Sequence, residues 1–129
     1  MNGSSKKRIL IIDDAALIRT YYRSALEVRG FIVEEALNGL EGLEKVLLQS
    51  FDLAIVDVNM PQMDGITFLL ELRSKQLPVS GVPVLVISTE AGIQDLAAAR
   101  RAGANYYLVK PIKQEVLAEY AAVFCGAPQ

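Results

Sequence analysis

The sequence predicts an α/β protein, a doubly wound, five-stranded parallel sheet with helices on both faces. Short β-rich runs alternate five times with longer stretches of helical spacing. Most of those runs are nearly continuous in Val, Ile and Leu, the composition of strands buried on both faces. The 129 residues, 52% hydrophobic and 22% charged, suit a single core with no room for a second domain.

Taken in order, "RILII" reads as the first strand and "AALIRTYYRSALEVRG" as its helix. That helix sets Leu17, Tyr21, Ala25 and Val28 at three- and four-residue steps, with Gly30 as the stop. "FIVEEA" is the second strand, and "GLEGLEKVLLQS" follows with Leu40, Leu43, Val46 and Leu47 on one helical face. "LAIVDV" and "GITFLLELRSKQ" form the third pair, "VPVLVIS" and "IQDLAAARRAG" the fourth, with Gly103 as a helix stop. "YYLVK" and "KQEVLAEYAAVF" complete the series. The polar first six residues, the loop "LPVSGVP" and the tail "GAPQ" read as the flexible pieces.

Composition removes several function classes. A net charge of −2 provides no general attraction to nucleic acid or to anionic membranes. The single cysteine, Cys125, sits in an apolar stretch and reads as a core thiol with no disulfide partner. The apolar run after the basic start is stopped by Asp13, too short for a signal peptide, and no segment approaches the roughly 18 residues that span a bilayer. A cytoplasmic protein without nucleic-acid contacts or membrane insertion is expected. Neither Gly-rich nucleotide loop pattern is present and the chain has no histidine, so any phosphate must come from elsewhere.

In open parallel sheets, ligands bind outside the carboxyl ends of the strands. Asp13 and Asp14 end the first strand, Asp57 the third, Ser88 and Thr89 the fourth, and Lys110 the fifth, all at that one edge. An aspartate that caps the next helix would account for Asp13 or Asp14 singly, but not for the set. Three carboxylates in one crevice repel one another, and a hard divalent cation with oxygen ligands relieves that repulsion. Mg2+ fits, whereas a chain without histidine and with one cysteine lacks the ligands for zinc. A carboxylate such as Asp57 can attack phosphorus when a metal, an ammonium and a hydroxyl neutralise the transferring group. Mg2+, Lys110 and Ser88 would supply those three.

At these residues the chain resembles the response-regulator receiver domain of bacterial two-component signalling. The likeness covers roughly residues 7–124 and rests on "LIIDD", "IVDVNMPQMDG", "VLVIST" and "YYLVKP" in that order and spacing. It implies a flavodoxin-like sheet of strand order 2-1-3-4-5 and one receiver domain over residues 1–129 without an output domain. It implies further that Asp57 is the phosphoacceptor, with a histidine kinase as donor. Asp14 would be a direct Mg2+ ligand, Asn59 a backbone-carbonyl ligand, and Asp13 a neighbour acting through water. Ser88 would be the switch hydroxyl, Tyr107 the switch aromatic, Lys110 the phosphate-contacting lysine, and Lys110–Pro111 a cis bond. The implied chemistry is self-phosphorylation and autodephosphorylation rather than turnover of a free substrate.

Within the family, the length and the stretches "NMPQMDG" and "STEAG" are most similar to chemotaxis regulators, which act by binding another protein. The implied partner face lies on the fourth helix, fifth strand and fifth helix, bordered by Ile93, Leu96, Tyr106, Tyr107, Val109, Ile112 and Lys113. Asn59 and Glu90 match residue types that go with a short-lived phosphorylated state, which a phosphatase can shorten further. Thr89 departs from the alanine or glycine common at its position, where a bulkier side chain narrows access to the phosphate. Gly92 and Ile93 stand where motor-binding relatives tend to carry lysines. A phosphate sink or an adaptor to a non-motor target is therefore the alternative role. A small phosphatase of the haloacid dehalogenase kind is a more distant one, because it needs a second aspartate where this chain has Asn59.

Overall fold

The computed structural model describes residues 6–126, in which strands and helices alternate as the apolar periodicities predict. The strands are β1 (Arg8–Ile12), β2 (Ile32–Ala36), β3 (Leu53–Asp57), β4 (Val84–Ser88) and β5 (Tyr106–Val109). The helices are α1 (Ala16–Glu27), α2 (Gly39–Leu48), α3 (Gly65–Arg73), α4 (Ile93–Ala102) and α5 (Gln114–Cys125). All neighbouring strands are parallel, in the order β2-β1-β3-β4-β5. The chain runs from β1 outward to β2, then returns to the other side of β1 as β3. That reversal opens a crevice at the carboxyl ends of β1 and β3. The register Ile12↔Val56 brings Asp13, the residue after β1, beside Asp57, the last residue of β3.

The period-two alternation of the strands divides the interior into two layers. Ile9, Ile11, Leu53, Ile55, Leu85 and Ile87 pack on one face with Tyr22, Ala25 and Leu26 of α1 and Leu117, Ala121 and Ala122 of α5. Leu10, Ile12, Ala54, Val56, Val84 and Val86 pack on the other with α2, α3 and α4, where Phe68, Leu69 and Leu72 are fully buried. Cys125 is buried in the first layer, as a core thiol should be, and burial pushes its pKa up to about 11. The three central strands are buried nearly throughout, whereas β2 and β5 lie at the sheet edges and expose part of their length.

Two expectations need correction. In α1 the buried residues are Arg19, Tyr22, Ala25 and Leu26, while Leu17 and Val28 are more than four-fifths exposed. The helix ends at Glu27, and Gly30 (φ +91°) closes it as the sequence predicts: its amide donates to the Glu27 carbonyl at 2.9 Å and that of Phe31 to the Leu26 carbonyl at 3.3 Å, a glycine-terminated stop. In α2, Leu43 and Val46 are buried but Leu40 and Leu47 are about half exposed. Gly103 does cap α4, in the left-handed conformation that favours glycine.

The loop expected to be flexible carries a 3-10 turn over Val79–Gly81. Arg73 anchors it by donating to the carbonyls of Ser80 (2.8 Å), Val82 (2.6 Å) and Gly103 (2.7 Å). Residues 1–5 and 127–129, which hold most of the polar start and the tail, lie outside the described residues.

The start of α3 fixes the backbone of Asp57. Gly65 donates its amide to the Val58 carbonyl at 2.9 Å, and Asp64 caps the helix by accepting from the Thr67 amide at 2.8 Å. A Cβ at Gly65 would collide with the carbonyl oxygen of Asp57 and sit 3.0 Å from Val58 Cα, both backbone atoms with nowhere to move. Gly65→Ala is therefore expected to lose about 1–3 kcal/mol of stability in urea denaturation. A variant as stable as the parent would show that the α3 junction tolerates displacement.

Candidate functional site

Asp13, Asp14 and Asp57 come together at the crevice, each offering a carboxylate oxygen within 4.8 Å of the others. Asp13 is 2% and Asp57 9% exposed, while Asp14 faces solvent. Lys110 reaches over from the end of β5, placing Nζ 3.5 Å from Asp13 Oδ2 and 3.4 Å from Asp57 Oδ1. One ammonium thus faces two buried carboxylates, and the third carboxylate raises the imbalance. Burial first, and then the charge of Asp13, push the pKa of Asp57 above its ordinary value, against the opposing pull of Lys110.

The backbone around Asp13 is held from several sides. Its amide donates to the Ala36 carbonyl at 3.1 Å, and its Oδ1 accepts from the Ala15 amide at 2.9 Å. Asp13 is not the cap of α1, whose N-cap is Ala15 with no side-chain cap bond; Oδ1 holds only the amide of that cap residue. Its Oδ2 is buried and takes no hydrogen bond, the one such side-chain atom among the described residues. An anionic oxygen without a hydrogen bond, shared only with the Lys110 ammonium at 3.5 Å, beside two further carboxylates is a donor set suited to a hard cation. The group Asp13, Asp14 and Asp57 therefore fits a divalent metal bound through oxygen.

Ser88 and Tyr107 are joined through one residue. Ser88, fully buried, accepts the Glu90 amide on Oγ at 3.1 Å, and the half-buried Tyr107 donates its hydroxyl to the Glu90 carbonyl at 2.8 Å. Thr89 and Glu90 are exposed at the mouth of the crevice, and Asn59 is exposed on the loop after Asp57. The Lys110–Pro111 bond is cis, as the resemblance implies, and Leu77–Pro78 is a second cis bond. Ile93, Leu96, Tyr106, Val109 and Lys113 are exposed on the face of α4, β5 and α5, while Ile112 packs partly into the core. Tyr106 stacks on Tyr120 with ring centroids 5.1 Å apart.

Sequence reading missed the support beneath this site. Arg19, on the buried face of α1, donates Nη1 to the Asp13 carbonyl at 2.6 Å and Nε to Glu35 Oε1 at 2.7 Å. Arg23 donates Nε to Glu35 Oε2 at 2.6 Å and Nη1 to Glu27 at 2.7 Å. The available signal was the pair of arginines one turn apart in α1 opposite the acidic "EE" of β2. Tyr21, counted as part of an apolar stripe, instead donates its hydroxyl to the Ile112 carbonyl at 2.9 Å, tying α1 to the loop after Lys110.

A doubly wound parallel sheet with an aspartate crevice at its reversal point defines a class of α/β proteins that bind ligands at the carboxyl ends of the strands. The chain belongs to one family of that class, the response regulator receiver domain, whose model matches residues 9–122. The transcriptional regulatory protein PrrA of Mycobacterium leprae is 36% identical over 120 residues, covering 93% of this chain and 49% of its own length. The chain thus spans about half the length of the curated relatives it matches. Among solved structures, the chemotaxis response regulator CheY4 of Vibrio cholerae is 32% identical with a TM-score of 0.86, covering 93% of this chain and 99% of that one. A CheY-like receiver domain protein from Methanospirillum hungatei is 31% identical with a TM-score of 0.87, covering 95% of both chains. No helix among the described residues is long and apolar enough to cross a membrane.

The Glu35 contacts have a measurable acid signature. Burial alone would raise its pKa, but the hydrogen bonds from Arg23 and Arg19 outweigh it and hold the carboxyl below its ordinary 4.5. A depressed carboxylate stabilises the fold fully above the unfolded-state value, and that contribution disappears as pH falls through the folded value. Urea denaturation of wild type and Glu35→Gln should show a stability gap that is constant at neutral pH and shrinks below about pH 4.5. A gap that widens toward acid would contradict the assignment.

Proposed function

We propose that this protein is a phosphoryl-accepting switch in which Asp57 takes a phosphoryl group from a histidine kinase and the change is passed to a protein partner. One observation carries the reading: Lys110 Nζ stands 3.4 Å from Asp57 within a three-carboxylate crevice that contains a buried, unbonded oxygen. In the transfer, an Asp57 carboxylate oxygen forms the new bond to phosphorus while the P–N bond to the donor imidazole breaks. The imidazole keeps that bonding pair, and the Lys110 ammonium neutralises the oxygens of the transferring group. Asp14, Asp57 and the Asn59 backbone carbonyl would hold Mg2+ directly, with Asp13 acting through water. When bound, Mg2+ supplies charge neutralisation for the transferred phosphoryl oxygens.

Ser88 accepts the Glu90 amide, which leaves its own hydroxyl proton free to be donated to a phosphoryl oxygen. A pull on Ser88 reaches Tyr107 through Glu90, whose amide and carbonyl those two side chains hold. Tyr107 lines a groove of about 260 Å³ between α4 and β5, together with Leu96, Arg100 and Tyr106, so the partner face and the acid crevice share one mechanical link. Thr89, Glu90 and Asn59 at the crevice mouth set the lifetime by controlling the approach of water or a phosphatase.

A chemotaxis output is supported by the likeness to CheY4. A phosphate-sink or adaptor role is the second reading, favoured by Gly92 and by Ile93, which is 87% exposed at the start of α4 where motor-binding relatives tend to present lysine.

Incubation with Mg2+ and acetyl phosphate, followed by intact mass, should add one phosphoryl group to wild type and none to Asp57→Asn. The gain should vanish with chelator and fall at least tenfold in rate in Lys110→Met. Addition to the Asp57→Asn variant at the wild-type rate would overturn the assignment of the acceptor.

A further inference from the structure

Asp13 presents an oxygen that the fold leaves unbonded, and every other polar group of that residue is spoken for. Its amide, carbonyl and Oδ1 engage Ala36, Arg19 and Ala15 at 3.1, 2.6 and 2.9 Å. Oδ2 is therefore aimed, at 3.5 Å, toward Lys110 and the other carboxylates. Of the three restraints, one is a backbone–backbone bond that any residue at this position could make, and one is the Ala15 amide held by the carboxylate itself. The third is a buried guanidinium, 9% exposed, on a helix face otherwise made of Tyr22, Ala25 and Leu26.

Placing an arginine there is costly, since its charge leaves water and must be fully paired. It is paired: Nε meets Glu35 at 2.7 Å, and Glu35 is in turn gripped by Arg23 at 2.6 Å. The planar fork allows one side chain to bind a carbonyl at the end of β1 and a carboxylate on β2 at once, which the single ammonium of lysine does with poorer geometry. We infer that Arg19 is a positioning residue of the acid crevice. Held by Glu35, it fixes the Asp13 carbonyl and so fixes the direction in which Asp13 Oδ2 faces Lys110 and a bound cation. This deepens the phosphoryl-acceptor reading and rests on it. Arg19 touches neither the metal nor the phosphoryl group and acts only through Asp13.

A merely structural ion pair between α1 and β2 would support stability and nothing else, and this distinguishes the two roles. The full chain is prepared as wild type, Arg19→Lys, Arg19→Met and Glu35→Gln. Mg2+ affinity is measured by tyrosine fluorescence titration at a temperature where circular dichroism shows each variant folded. Phosphorylation by acetyl phosphate is then followed at saturating Mg2+. Arg19→Met is expected to weaken Mg2+ binding about tenfold or more, in the range found when partners of metal ligands are removed. Arg19→Lys should recover part of that loss. Glu35→Gln, which leaves Arg19 in place but loosens it, should fall between wild type and Arg19→Met.

Mg2+ affinity within twofold of wild type in the folded variants, alongside reduced stability, would overturn the proposal and leave a structural ion pair. Should Arg19→Met fail to fold, Arg19→Lys and Glu35→Gln decide by the same criterion. Wild-type protein that binds no Mg2+ overturns the parent reading and this one together. Wild type that binds Mg2+ and is phosphorylated, with variants unchanged, overturns this one alone.

Discussion

Two buried carboxylates facing a single ammonium are the constraint around which this molecule is arranged. Asp13 and Asp57 lie within reach of Lys110 at 3.5 and 3.4 Å, and Asp14 adds a third negative charge at the solvent side. An apolar interior does not tolerate that imbalance unless geometry is enforced from outside. The enforcement comes from the sheet, which holds the ends of β1, β3 and β5 at fixed spacing. It also comes from the close approach of Gly65 to the Asp57 carbonyl and from the polar contacts that immobilise Asp13. Charge that the chain itself leaves uncompensated is what suits the crevice to a cation.

The same rigidity underlies the coupling we propose between Asp57 and a distant face. Glu90 is bound at its amide by Ser88 and at its carbonyl by Tyr107. The side chain nearest the crevice and the one lining the α4–β5 groove therefore share a single peptide unit. By contrast, α4 begins at Gly92 without a side-chain cap and ends at Gly103, whose carbonyl Arg73 holds. The helix is thus better anchored at its C-terminal end than at the end beside the crevice.

Most of the fold was legible because buried parallel strands advertise themselves as unbroken apolar runs, and their carboxyl ends could be read directly. The sequence alone thereby places Asp13, Asp14, Asp57, Ser88 and Lys110 at one edge. Helix faces were less legible. Leu17 and Val28 fit a three- and four-residue spacing, yet the face turned inward carries Tyr22, Ala25, Leu26 and a charged Arg19. An apolar stripe identifies a helix but does not orient it when polar residues are buried in pairs. Arg19 and Glu35 were invisible for the same reason, because each alone reads as a solvated surface charge and only the packing of α1 against β2 brings them together. The link through Glu90 runs through backbone atoms, which side-chain identity does not encode.

With three carboxylates facing one ammonium, the crevice is electrostatically overloaded in the absence of a cation. Urea denaturation of wild type and Asp57→Asn, each in chelator and in excess Mg2+, tests it directly. In chelator the variant should be the more stable protein, since one of the crowded carboxylates has become neutral without loss of volume. Mg2+ should then raise the midpoint of wild type more than that of the variant, because it binds the folded state through the charge that the variant lacks. A variant less stable than wild type in chelator, with midpoints that Mg2+ does not move, would contradict the account.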